Sequence, residues 1–150
     1  MTEVELLRRR QFALEFPGRY AFAIHALVPE RVGAFFTEAA TMDQAWGKVE
    51  GRKAVIESYR ERFAGFASAT HWITNTHVSS FDGEHATVQA FTLALLALKD
   101  RPADSPTLMM GEYKFELVWA SDDWRIEHLT ITRHGVHTLH LGASDFVPKK

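Results

Sequence analysis

The sequence predicts an α+β domain in which helices pack on one face of a curved antiparallel sheet. Three observations carry the prediction. Apolar residues recur at helical spacing through the first third of the chain, in Val4, Leu7, Phe12, Phe16, Tyr20 and Ile24 and again in Ala54, Val55, Tyr59 and Phe63. After Phe66 the chain changes character, and four long segments rich in β-branched and aromatic residues follow one another. The links between those segments are turn chemistry, with Asp82-Gly83 as a short hairpin signal, ASDD at 120–123 as another tight turn and KDRPADSP at 99–106 as a longer polar loop. Helices first and a meander of strands afterwards segregate into two layers.

The first helix runs from Glu3 toward Leu27, with a kink or break expected at Phe16-Pro17-Gly18, because proline lacks the amide proton and crowds the preceding turn. Pro29 opens a short second helix, with Val32, Phe35 and Phe36 inward, that ends near TEAA at 37–40. Residues 40–47 read as a strand, and Gly47 and Gly51 bracket a turn before a third helix from Arg52 to Phe66, whose Arg and Glu residues lie opposite its apolar stripe. THWITNTHVSS, HATVQAFTLALLAL, TLMMGEYKFELVWA and DWRIEHLTITRH are the four strands. In the first of them, alternation places His71, Ile73, Asn75 and His77 on one face and Trp72, Thr74, Thr76 and Val78 on the other.

A chain of 150 residues suits one domain, with its core at about 10–135 and a tail at 136–150. With 46% hydrophobic residues and a net charge of -2, it offers no basic field for nucleic acid. The absence of cysteine removes disulfides, thiolate catalysis, zinc-thiolate sites and iron-sulfur clusters. No signal-peptide core or membrane-length apolar run is present, so no membrane partner and a cytoplasmic location are expected. No phosphate loop, nucleophile elbow or H-E-x-x-H motif occurs.

The element order and the motifs RYAFAIHA, FFTEAATM, WGKVEGRKAVIESYRERF, THWITN, FDGEHATVQAF, GEYKFELV and DWRIEHL resemble the nuclear-transport-factor-2-like superfamily, and within it the SnoaL-like group related to polyketide cyclases and scytalone dehydratase. The resemblance covers roughly residues 10–135. It implies a cone-shaped α+β barrel, three N-terminal helices on a strongly curved antiparallel or mixed sheet, with a ligand pocket at the mouth of the cone. That cone serves dehydratases, isomerases, hydrolases, cyclases, dioxygenase small subunits and non-catalytic binders, so the fold does not name the reaction. Enzymes of this type often place an aspartate where this chain has His25, and many relatives carry a second acid where this chain has Phe115. A histidine on the strand equivalent to that of His71 is a catalytic acid or base in the scytalone dehydratase branch.

His71 is the leading candidate for general acid or base, since imidazole titrates near neutral pH; its other reading is a histidine that satisfies a backbone group on a half-buried strand. His25 either meets His71 across the pocket as its complement or interacts with the end of its helix. Asn75 either holds a substrate oxygen with its amide or bridges to a neighbouring strand. Tyr20 and Tyr113 can polarise a carbonyl or pack with a hydrogen-bonded tip, Phe115 offers an apolar wall in place of an acid, and Trp46 is the tryptophan placed for ligand contact. His134, His137 and His140 do not share one face in an extended chain, and no metal site is expected.

The resulting expectation is a cofactor-free pocket protein that binds a small apolar, aromatic or polyketide-like molecule and performs dehydratase-like or isomerase-like proton transfer. The alternatives are a non-catalytic binding or accessory module, or the small subunit of a ring-hydroxylating dioxygenase. A homodimer that packs the outer faces of two sheets is expected.

Overall fold

The computed structural model of the chain describes residues 1–45 and 47–140. Helix α1 (Glu3–His25) opens on a capping box in which Thr2 accepts from the Glu5 amide and the Glu5 carboxylate accepts from the Thr2 amide. Two amides left open by a helix start are thereby satisfied. The break expected at Pro17 does not occur, and α1 runs on to His25. Proline costs the helix one hydrogen bond, but Ala13, Phe16, Pro17, Tyr20 and Ile24 are all buried on one face, and that packing supports the helix on both sides of the proline.

Helix α2 (Pro29–Gly33) is shorter than its sequence suggested, and β1 (Phe36–Gln44) begins where the helix was expected to continue. The reason is tertiary. The backbone around Phe36 is taken up by the last strand, whose Ile126 amide donates to the Phe35 carbonyl at 2.8 Å. A short strand, β2 (Gly47–Glu50), pairs back on β1 where only a turn was expected, and α3 (Arg52–Ala64) follows, with Val55, Tyr59 and Phe63 buried. Strands β3 (Phe66–Phe81), β4 (His85–Leu98), β5 (Thr107–Ala120) and β6 (Asp123–Thr138) complete the fold.

The six strands form one mixed sheet in the order β2-β1-β6-β5-β4-β3, antiparallel except for the parallel β1–β6 pair. It is strongly curved into a cone without closing into a barrel, and β2 and β3 remain its edges. Bulges drive the curvature: register shifts lie between Thr74 and His77 in β3 and opposite Met110–Gly111, where β6 carries His134 as the extra residue. At Gly111 a Cβ would sit 2.5 Å from the Thr132 carbonyl oxygen, so the close approach of β5 and β6 at this bend requires glycine.

Two side-chain ties fix α1 across the sheet. Fully buried Trp124 donates Nε1–H to the Arg9 carbonyl at 2.8 Å. Arg19 grips Asp123 with both amino nitrogens, at 3.0 and 2.7 Å, a fork geometry that fixes direction as well as distance. Between helix and sheet, Tyr20 stands edge-on to Phe35, Phe36, Tyr113 and Phe115 with ring centroids 5.3 to 6.2 Å away, the arrangement that aromatic quadrupoles favour. No described helix is long and apolar enough to cross a membrane.

Candidate functional site

The site is organised by β3, and the course of β3 is set by Asn75. Asn75 adopts the left-handed region (φ 54°) at the bulge between Thr74 and His77, a conformation asparagine tolerates better than most residues. One extra residue in a strand reverses the facing of all that follow. His71 pairs with buried Ala94 and faces inward, whereas His77 pairs with Gln89 on the outer face and Val78 is buried in the core. Asn75 is exposed on the outer face beside His77, Gln89, Phe91 and Glu112. The expectation that His71, Asn75 and His77 share a face is therefore corrected: the bulge separates them.

His71 lines two spaces. Outside it, a cleft of about 400 Å³ runs between one stripe of α1 (Gly18, Ala21, Phe22, His25) and β3 (Thr70, His71, Trp72, Ile73). Inside it, a cavity of about 50 Å³ is lined by Ile24, Tyr59, Arg62, Phe63, Phe66, His71, Leu96, Met109, Tyr113 and Ile131. The imidazole lines both. The outer cleft has the size of a small-molecule site, and the inner cavity holds a few atoms. Gly18 widens the cleft, since no atom lies within 4 Å of where its Cβ would be.

Burial sets the protonation states. It is the first cause, with neighbouring His25 the second, of a His71 pKa lowered to about 4, so the ring is neutral near pH 7 and its buried Nδ1 has no hydrogen-bond partner among the described residues. The Tyr59 hydroxyl, bonded to that of Tyr20, is pushed up to about 12 by burial. Burial, followed by the proximity of Tyr59, also raises Tyr113, and both phenols stay protonated as donors. Arg62 is lowered to about 10, mainly by burial, and remains a cation at neutral pH.

The lowered His71 pKa carries a stability consequence. Between its ordinary value of 6.5 and its native value of about 4 the unfolded chain binds a proton that the native chain does not. Stability is therefore complete above about pH 6.5 and falls as the pH drops toward 4, by about 3 kcal/mol in all. Denaturant titrations from pH 7 to 4 are expected to show that loss in the wild type and a smaller one in His71→Phe; parallel curves would show that His71 is not desolvated.

The other residues singled out in the sequence divide. His25 is exposed and lines the same cleft as His71. Tyr113 lines the inner cavity. Tyr20 and Phe115 do not line it; both are fully buried, and Tyr20 reaches the site through its hydrogen bond to Tyr59 and its ring contact with Tyr113. Trp46 lies outside the described residues, as does the tail from residue 141. Tyr59 and Arg62 were not singled out. Arg62 lies three residues beyond Tyr59, at the margin of the apolar stripe of α3, and that offset was the signal that set it apart from the solvent-facing charges.

A cone-shaped sheet that presents an inward histidine over a small cavity agrees with what sequence comparison finds. The SnoaL-like domain model matches residues 13–130. The chain belongs to that family. No curated protein sequence matches it. Among solved structures, a proposed scytalone dehydratase of Novosphingobium aromaticivorans superposes on this SnoaL-like protein with a TM-score of 0.81 at 18% identity, covering 95% of each chain. The type 2 hexachlorocyclohexane dehydrochlorinase LinA gives 0.81 at 13% identity over 98% of each chain. A proposed aromatic ring hydroxylase, also of Novosphingobium aromaticivorans, gives 0.80 at 21% over 88% of this chain and 94% of the other. At such identities the likeness is one of fold.

Proposed function

We propose that this SnoaL-like protein binds a small, planar, mostly apolar molecule in the cleft and moves a proton on it without a cofactor, as a lyase or isomerase does. The observation that carries the reading is His71, a neutral imidazole and the one described residue that lines both the cleft and the inner cavity. A neutral ring accepts a proton from a carbon beside a carbonyl, while the protonated Tyr113 hydroxyl donates to the oxygen on which charge develops. His25, at the mouth, then returns a proton to another carbon or to a departing hydroxyl. Two of the structural neighbours are named as a dehydratase and a dehydrochlorinase, names that denote eliminations, and such a reaction begins with a proton removal of this kind.

The test is hydrogen-deuterium exchange on a panel of planar ketones in D₂O, followed by NMR. Exchange catalysed by the wild type, lost in His71→Gln and blocked in Gly18→Trp, which fills the cleft, is the expected result. Exchange that persists in His71→Gln removes the mechanism. The unpartnered Nδ1 favours a second reading, since no carboxylate bonds to His71 to orient it or strengthen it as a base. On that reading the cleft holds a ligand and performs no chemistry, and the panel binds without exchanging.

We also propose a homodimer. Trp72, Phe91 and Leu93 are 50%, 47% and 38% exposed on the outer face of the sheet, and Glu112, Lys114 and Glu116 beside them alternate in sign along β5. Under a two-fold axis Lys114 of each copy can meet Glu112 of the other across an apolar centre, which selects a second copy as the occupant. Sedimentation is expected to give twice the 17.0 kDa chain mass and to revert to the single mass in Trp72→Asp; a monomer at micromolar concentration overturns this.

A further inference from the structure

The cleft continues past the point where the reaction is placed. Beyond Gly18 an open groove of about 410 Å³ runs on along α1, and it shares Gly18, Phe22 and Ile73 with the cleft. The helix side of both comes from one stripe at three- and four-residue spacing, Leu14, Gly18, Phe22 and His25. On β3 the cleft takes Thr70 to Ile73, and the groove takes Ile73 and Thr76. The two spaces therefore lie end to end between α1 and β3, in a trough that follows the helix for about 16 Å from Leu14 to His25. Gly18 raises no wall between them, because no atom lies within 4 Å of where its Cβ would be. At the same junction Phe22 is 80% exposed and packs on no other ring among the described residues.

We propose that the groove is a second subsite and that the ligand is a rod-shaped neutral ketone. Its carbonyl end lies beside His71, its first ring lies against Phe22, and a further ring or straight apolar tail reaches over Gly18 toward Leu14. This rests on the reading of the cleft as a ligand site. A ring laid on Phe22 supplies the partner that side chain lacks, and aromatic pairs contribute beyond the area they bury. The far end does not suit an ion. Arg19 is already held by Asp123 through both amino nitrogens, and Glu15, exposed at the rim, repels an anion. An apolar extension instead covers Leu14 and Ile73, and gains in proportion to the area removed from water.

Equilibrium binding of acetophenone, 4-acetylbiphenyl and 3-acetylbiphenyl, measured by calorimetry on the full chain, tests the assignment. The first probe ends after one ring; the other two are isomers, one straight and one bent. The wild type is expected to bind 4-acetylbiphenyl at least about tenfold more tightly than either of the others. In Thr76→Trp, whose indole occupies the groove, that preference is expected to vanish. Equal binding of acetophenone and 4-acetylbiphenyl by the wild type overturns the second subsite and leaves the cleft reading intact. Equal binding of the two isomers does the same, since it reports apolar area without direction, and so does a preference that survives in Thr76→Trp. Failure of all three probes to bind overturns both readings. The wild-type ratios need no variant, so the test stands even where Thr76→Trp does not fold.

Discussion

Replacement of His71 by glutamine is expected to slow exchange on a bound planar ketone by about 10²–10⁴-fold, the usual contribution of a positioned acid or base. Glutamine keeps polarity and much of the volume but cannot take up a proton, so the loss reports the proton and not the packing. The pH profile separates this role from a structural one. With burial holding the imidazole at about 4, kcat/KM is expected to rise through that pH as the ring loses its proton and to stay level to neutrality. A rise centred on 6.5 would mean that the buried His71 is not the base. The price of a low pKa is a weak base, which a single substitution can address: His25→Asp puts an anion beside the ring, and the rise is expected to move to higher pH.

The second large effect is structural. Trp124→Ala is expected to cost about 3–5 kcal/mol, read from the midpoint of urea unfolding. Trp124 is fully buried, stacks edge-on to Trp119 and lies against Phe81. Its removal opens a void and leaves the Arg9 carbonyl without its donor, and the two losses compound. Since the total stability of a domain is about 5–15 kcal/mol, the variant sits near the limit of folding. Trp124→Phe keeps most of the volume but not the hydrogen bond, and should fall between; if it matches the wild type, the bond to Arg9 contributes nothing.

Much of this fold is legible from residues because local pattern and tertiary structure agree over long segments. The strands His85–Leu98 and Thr107–Ala120 coincide with their sequence segments, and the helix begun at Arg52 ends within two residues of the expected place. Pattern fails where a distant partner decides. Pro17 reads as a kink or break because only neighbours in sequence are visible, whereas the helix runs on through it with a buried face on both sides of the proline. Phe36–Ala39 reads as helix because its pairing with β6 lies some 90 residues away in the chain. In the site, His71 is recognisable as an inward strand residue and His25 as the occupant of a position where relatives carry an acid. Asn75 misleads because alternation assumes an unbroken ladder. Arg62 escapes notice because a charge on an amphipathic helix is normally solvated, whereas this one lines the inner cavity.

The bulge at Asn75 makes β3 behave as two texts joined by one letter. Residues 68–74 are read in a frame that gives the cavity its imidazole, and His77 and Val78 in the opposite frame, which gives the core its Val78 before a further register shift at Val78–Ser80. Substitutions in the first stretch can alter chemistry without touching the packing beneath the second. Deletion of Asn75 would act as a frameshift in space: Val78 would turn to solvent, and His77 would be carried into the core as a buried imidazole with no partner.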